Sequence, residues 1–163
     1  MKKISFILIF FLLIPFKVLS SEIFIVDISF LLQKSEKGKK IQKDLDSLNV
    51  KQKKTLEKKQ KELKKKESEI ASKKNVLSQE DFKKEVEKFK AELNKFNNDR
   101  RKSLQEINKK KNNEIAKLLE EINNILVEYS KENNISTILD KKNVIITKID
   151  NDITKKILTI LNK

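Results

Sequence analysis

The residues of this chain able to do chemistry are almost all lysines and carboxylates. There are 38 Lys and Arg against 24 Asp and Glu, with no histidine and no cysteine. Thiol nucleophiles, disulfides and Cys/His zinc sites are therefore excluded. A single glycine, Gly38, excludes a glycine-rich phosphate loop. Asp27 and Asp140 stand at the ends of strand-like runs and read as turn or capping residues, with nothing around them to build a pocket for acid–base work. No enzyme, no metal and no cofactor is expected. What remains is density of charge, greatest in KQKKTLEKKQKELKKKESEI (51–70), where lysines crowd a segment with one apolar residue in seven.

The N-terminus sets the context for that charge. MKKISFILIFFLLIPFKVLSSE has Lys2 and Lys3, then an unbroken apolar stretch from Ile4 to Ile14, then Pro15 and small residues. This is the layout of a secretory signal peptide, and the apolar stretch is short for a membrane span. Residues 1–20 are expected to be removed after Ser20 or Ser21, leaving an exported chain in the periplasm. An uncleaved anchor holding the chain at the inner membrane is the alternative. Without Lys2, Lys3 and Lys17 the formal charge falls from +14 to +11. That charge permits non-specific polyanion binding. With two arginines, few aromatics and no groove-reading motif, however, nucleic acid is not an expected partner.

The elements that carry the lysines follow from apolar periodicity. Ile23, Phe24, Ile25 and Val26 are consecutive, as in a strand buried on both faces. Phe30 to Leu32 begin a short helix, and Gly38 is expected to mark a bend. From 39 to 131 the pattern is helical and thin. Leu56, Leu63, Ile70 and Leu77 recur every seven residues, as do Phe82, Phe89 and Phe96, with Val86 and Leu93 between them. The spacing slips at KKNVLSQED, where Asn75 can end one helix and Ser78 can cap the next, with Glu80 and Asp81 in its first turn.

A reversal near 75–80 makes a testable register. Leu77 with Phe82, Ile70 with Phe89, and Leu63 with Phe96 have residue numbers of one constant sum, and Leu56 falls opposite Ser103–Leu104. Matching apolar layers are what an antiparallel coiled coil needs; a continuous rod with a stutter is the alternative. The layers between are poor, since Val86 meets Lys73–Lys74 and Leu93 meets Lys66–Glu67. Lys51 to Ile70 is then the solvated face of one arm.

Toward Tyr129 the apolar stripe widens, as for a helix packed on a core. Two short strand-like runs follow, around Ile138 and around Val144 and Ile146, and then a closing helix that Asp152 or Thr154 can cap. The fold class expected is α+β and mostly α. A long antiparallel helical hairpin, 39–131, is inserted into a small β-body built from 21–38 and 132–163. Ile23, Ile25, Ile138, Val144 and Ile146 would carry open-edged strands that favour oligomerisation.

This order of parts resembles the Skp (OmpH-like) family of periplasmic chaperones. The resemblance rests on IVDISFLLQKSEKGKKIQKDL (25–45), LSQEDF at the turn, NISTILD as second strand and DITKKILTILNK at the end. It implies a homotrimer whose three arms enclose a cavity. It also implies an ATP-independent activity that holds unfolded outer-membrane proteins before their insertion. An anionic lipid or lipopolysaccharide surface contact stays open, with no residue-by-residue match for a site. Client-contact candidates are Val50 and Val76, off the seam, and Leu77 and Phe82 at the turn; the phenylalanine heptad itself reads first as seam. The other reading is an exported coiled-coil spacer or adaptor tethered to the inner membrane.

Overall fold

A computed structural model describes residues 22–163; the signal-peptide expectation for residues 1–20 lies outside the described residues. The first strand, β1 (Ile23–Val26), stops at Asp27, whose carboxylate accepts the Phe30 N–H at 2.8 Å and caps α1 (Ile28–Lys34). Ser35 repeats the device at the far end of α1. Its hydroxyl is buried and accepts the Gly38 N–H at 3.1 Å, starting α2 (Glu36–Ser72). Gly38 therefore lies inside the first turn of α2 and does not form the bend expected for it; the bend is at Ser35. The glycine is required by close approach. A Cβ there would sit 1.8 Å from the backbone carbonyl oxygen of Leu32.

The chain reverses through Lys73–Ser78, and the Ser78 hydroxyl accepts the Asp81 N–H at 3.1 Å to begin α3 (Gln79–Glu132). At ~1.5 Å per residue, α2 is about 55 Å long and α3 about 80 Å. Asn134, in the left-handed region at φ 53°, ends α3. Ile135 N–H bonds back to the Ser130 carbonyl at 2.9 Å and satisfies an end-of-helix acceptor.

β2 (Thr137–Asp140) lies parallel to β1, with Ile23 opposite Thr137 and Val26 opposite Asp140. A parallel pair needs a long crossover, and here the whole helical hairpin supplies it. The strands at the two chain ends pair as expected, and the mostly helical class with a small sheet stands. The first strand is less enclosed than expected: Ile25 and Val26 are buried, but Ile23 is half-exposed.

The third expected strand does not form. Asp140 accepts from the Lys142 N–H and caps a 3-10 turn at Lys141–Asn143, which leads the chain away from β2. The other side of β1 is taken by a bridge from Ile25 to Asp152 and the Ile153 N–H bond to the Ile25 carbonyl, 3.0 Å. Val144 to Thr147 thus finds no edge of β1 within its own chain. Ile145 and Ile146 are 98% and 89% exposed.

Helix α4 (Thr154–Leu161) closes the body. Asp152 accepts from the N–H and hydroxyl of Thr154, and that hydroxyl in turn accepts the Asp27 N–H at 2.8 Å, tying the two chain ends together. The core gathers Val26, Leu31, Leu118, Ile122, Ile153, Ile157 and Leu161. The base of α3 therefore belongs to the body's packing, which explains its wider apolar stripe.

Candidate functional site

The candidate site is the hairpin of α2 and α3. Its register can be read from charged pairs as well as from apolar layers. Lys66 bonds Glu92 and Lys37 bonds Glu121 across the two helices, and both pairs fall one residue off the constant sum of the apolar layers. The Lys66 hydrogen bond, opposed by desolvation and helped by the charges of Lys66 and Lys59, holds the Glu92 carboxyl below its usual range. These pairs lie at the rim, where an ion pair is worth little, so they mark the register more than they hold it.

The apolar seam is unequal. On α2, Leu63 and Ile70 are buried and Leu56 is half-buried, as is Leu77 in the turn. On α3, Phe82, Val86, Phe89 and Phe96 are all half-buried, and Leu93 lies at the exposed edge while its neighbour Glu92 turns toward the partner helix. A phenylalanine that keeps part of its ring in water contributes only part of its transfer free energy, about 1 kcal/mol instead of 2–3. Among the contact candidates, Val76 is 80% exposed at the tip and Val50 is 53% exposed on the flank, whereas Leu77 and Phe82 pack at the turn.

Nearer the body the seam is better sealed. Leu45, Ile107 and Leu118 are buried, and so is Ser103, opposite Leu56. Ile107 was not singled out by periodicity, although it stands four residues beyond Ser103 and eleven beyond Phe96, on the same a/d track. The polar Ser103 interrupted the apolar series there and hid it. Its small side chain leaves an opening of about 580 Å³ on one flank, walled by Val50, Leu56, Phe96, Leu104 and Ile107, with Lys53 and Arg100 at the rim. Two further openings lie toward the body. One of about 620 Å³ is lined by Leu32, Ile41, Leu45 and Ile115, and one of about 480 Å³ runs between Gln33 and Val50. Among the described residues no cluster of carboxylates could hold a metal ion, and no helix is long and apolar enough to cross a membrane.

A capped body carrying one long, thinly seamed hairpin is a recurrent architecture, and the family model described as outer membrane protein (OmpH-like) matches residues 22–161. The chain belongs to the OmpH-like family. Its fold is also that of a protein from Caulobacter crescentus CB15 whose crystal structure was provisionally described as that of an OmpH-like outer membrane chaperone. That structure superposes with a TM-score of 0.81, covering 86% of this chain and 83% of that one at 16% identity. A search of the curated proteins finds no match to the chain. The family match spans both strands, the whole hairpin and all of α4.

Proposed function

We propose that the protein is an ATP-independent periplasmic holdase that encloses unfolded outer-membrane proteins and prevents their aggregation before insertion. One observation carries the reading: a well-packed body bears an arm more than 50 Å long whose seam is half-open along its outer part (about 1.5 Å per residue). Such an arm can bend and splay around clients of different size. Its lysine excess attracts acidic segments over a Debye length of ~8 Å, and lysine stems add apolar surface. The description of the Caulobacter protein as a chaperone points the same way.

Enclosure needs more than one arm, and the body offers the means of assembly. The outer edge of β2 is unpaired among the described residues, and Val144–Thr147, outside any strand, holds Ile145 and Ile146 in solvent. A segment of one copy added to the β2 edge of the next makes a head-to-tail contact, which closes into a ring when the rotation permits. A homotrimer is the reading we adopt. At the arm tip, Lys73 and Lys74 precede exposed Val76, and Lys83 follows at the start of α3 beside a Lys84–Glu80 pair; the lysines left unpaired among the described residues suit an anionic lipid or lipopolysaccharide surface.

The test shortens the arm and spares the body. Joining Leu56 to Leu104 by a short turn keeps the register and the core. This variant is expected to assemble as the parent does, by sizing and light scattering, yet to leave a urea-denatured barrel protein to aggregate on dilution. Equal protection by the shortened form would place the holding surface on the body and defeat the reading.

A further inference from the structure

The three openings along the arm share walls. Gln33 and Gln42 line both the opening nearest the body and its neighbour, and Val50 lines both that neighbour and the mid-arm opening. Together they run along one flank from Gly38 to Gln60 on α2, about 33 Å at ~1.5 Å per residue. An extended chain rises ~3.3 Å per residue, so about ten residues fill that length. A strand that crosses a bilayer in a β-barrel needs about 9–11 residues.

We infer that this flank is a track for one extended barrel strand, taken with its apolar side chains down and its polar side chains up. The inference rests on the proposed holding of unfolded barrel proteins and names the segment held. The floor of the track is apolar in its two end openings, with Ile41 and Leu45 nearest the body and Ile107, Leu56 and Phe96 along the mid-arm; between them it crosses Gln42, Lys43, Asp46 and Ser47 before reaching Val50. Every second side chain of an extended segment points to the same face, so an alternating segment meets that floor with one face and water with the other. A helical segment presents its apolar residues at a different period and matches the floor over only a turn or two.

The rim supplies the preference in charge. Lys34, Lys43, Lys53, Lys111 and Arg100 line the openings, against Asp46 and Glu57. Lys53 lies 3.9 Å from Glu57, whereas Arg100 has no carboxylate within ion-pair distance among the described residues. Carboxylates on the upward face of a bound segment are therefore favoured over lysines. Val50, at the junction of two openings and 53% exposed, and Leu104, on the mid-arm wall, can be changed without disturbing the buried seam.

The experiment measures binding of fluorescein-labelled ten-residue peptides to the purified protein by anisotropy. One peptide alternates leucine or phenylalanine with serine and glutamate; a second has the same composition with its apolar residues at helical spacing; a third replaces glutamate by lysine. The alternating acidic peptide is expected to bind at least about tenfold more tightly than either other. The double variant Val50→Asp with Leu104→Asp should lose about tenfold or more of that affinity while its circular dichroism and oligomeric size stay unchanged. Val76→Asp, at the exposed tip and outside the track, should bind as the parent does. Equal binding of the three peptides, an unaffected double variant, or an equal loss in Val76→Asp overturns the track. If no peptide binds but barrel clients are still protected, the track falls and the holdase stands. If clients are not protected at all, the holdase falls first.

Discussion

The two ends of α3 obey different physics. At its base, Leu118 and Ile122 are buried to 3% and 1% exposure among residues of β1, α1 and α4, so four elements contribute to one core. About 45–60 Å away, at ~1.5 Å per residue, Phe89 and Phe82 have only α2 and the turn to pack against and stay half in water. One helix thus passes from a body that holds a unique conformation to an arm that has few reasons to prefer one. The difference shows how a small chain serves two demands. Positions enclosed by several elements fix the base, and positions with a single neighbour leave the arm free to yield.

The largest expected effect breaks the body. Ile25 is buried between β2 and the bridge to Asp152. Ile25→Asp places an uncompensated charge there and should cost more than about 3 kcal/mol. Circular dichroism in urea should show the folded baseline lost, and sizing should show monomer or aggregate. An assembled protein of normal stability would mean that β1 does not organise the body.

Next comes Gly38→Ala, where two principles give opposite signs. Helix propensity favours alanine by about 1 kcal/mol. The new Cβ would overlap the Leu32 carbonyl at 1.8 Å, and backbone cannot step aside as a side chain can. Overpacking should win and destabilise by about 2 kcal/mol or more in urea unfolding. A stabilised variant would show that α1 and α2 can separate at Ser35 without loss, making the boundary between body and arm softer than drawn.

The hairpin was legible in the sequence because its signal is local and repetitive. Seven-residue spacing, Ser78 as a cap and the constant sum of paired positions require no knowledge of the rest of the chain. Both strands that pair were legible too, as short β-branched runs at either end. Two things were not. NVIIT has the composition of a strand, but composition does not reveal that Asp152 and β2 already occupy β1, or that the 3-10 turn at Lys141–Asn143 carries the segment away from the free edge of β2. Gly38 looked like a chain bend because glycine often makes one; its real role, admitting the Leu32 carbonyl, is a tertiary contact with no sequence signature. At the candidate site, the seam was visible but its depth was not, since exposure of Leu93 and burial of Ser103 are set by small rotations of two helices.

The arm should respond to mutation separately from the body. Leu63 is among the few buried residues of the outer seam. Leu63→Ala should cost about 2 kcal/mol locally, the low end for such a change because a thin seam can collapse. Hydrogen exchange of amides around 56–70 and 89–103 should accelerate about thirtyfold, in keeping with that energy, while amides of α4 and β1 keep their protection. Phe89→Ala, half-exposed to begin with, should accelerate them less. Equal acceleration in the body would mean that arm and base unfold as one unit, and the contrast between them would fail.

The smallest effect is a pH dependence confined to the body. Burial pushes the Asp152 carboxyl up, but hydrogen bonds from the Lys141 ammonium and from the Thr154 hydroxyl and N–H, with the Lys141 charge, outweigh it and hold the group below its usual 3.8. Lys141 is raised in return, first by its hydrogen bond to Asp152 and then by that carboxylate's charge. A depressed carboxyl contributes stability that is fully present above its unfolded value and is lost as pH falls through the folded one. A raised ammonium contributes stability present below its unfolded value, 10.5, and lost as pH rises beyond it. The pair should therefore support the body across the neutral range and release it only at the two extremes, acid through Asp152 and alkali through Lys141. Lys141 is exposed and its charge is screened by solvent, so the change is expected to be slight. It should appear as a urea midpoint for α4 and the strands that declines below about pH 4 in the parent and declines less in Asp152→Asn. The arm carries its own depressed carboxyl, Glu92, on a part-exposed pair at the rim, and exchange of arm amides should scarcely register the same acid step. If the arm loosens first as pH falls, ion pairs hold the hairpin more than its apolar layers do.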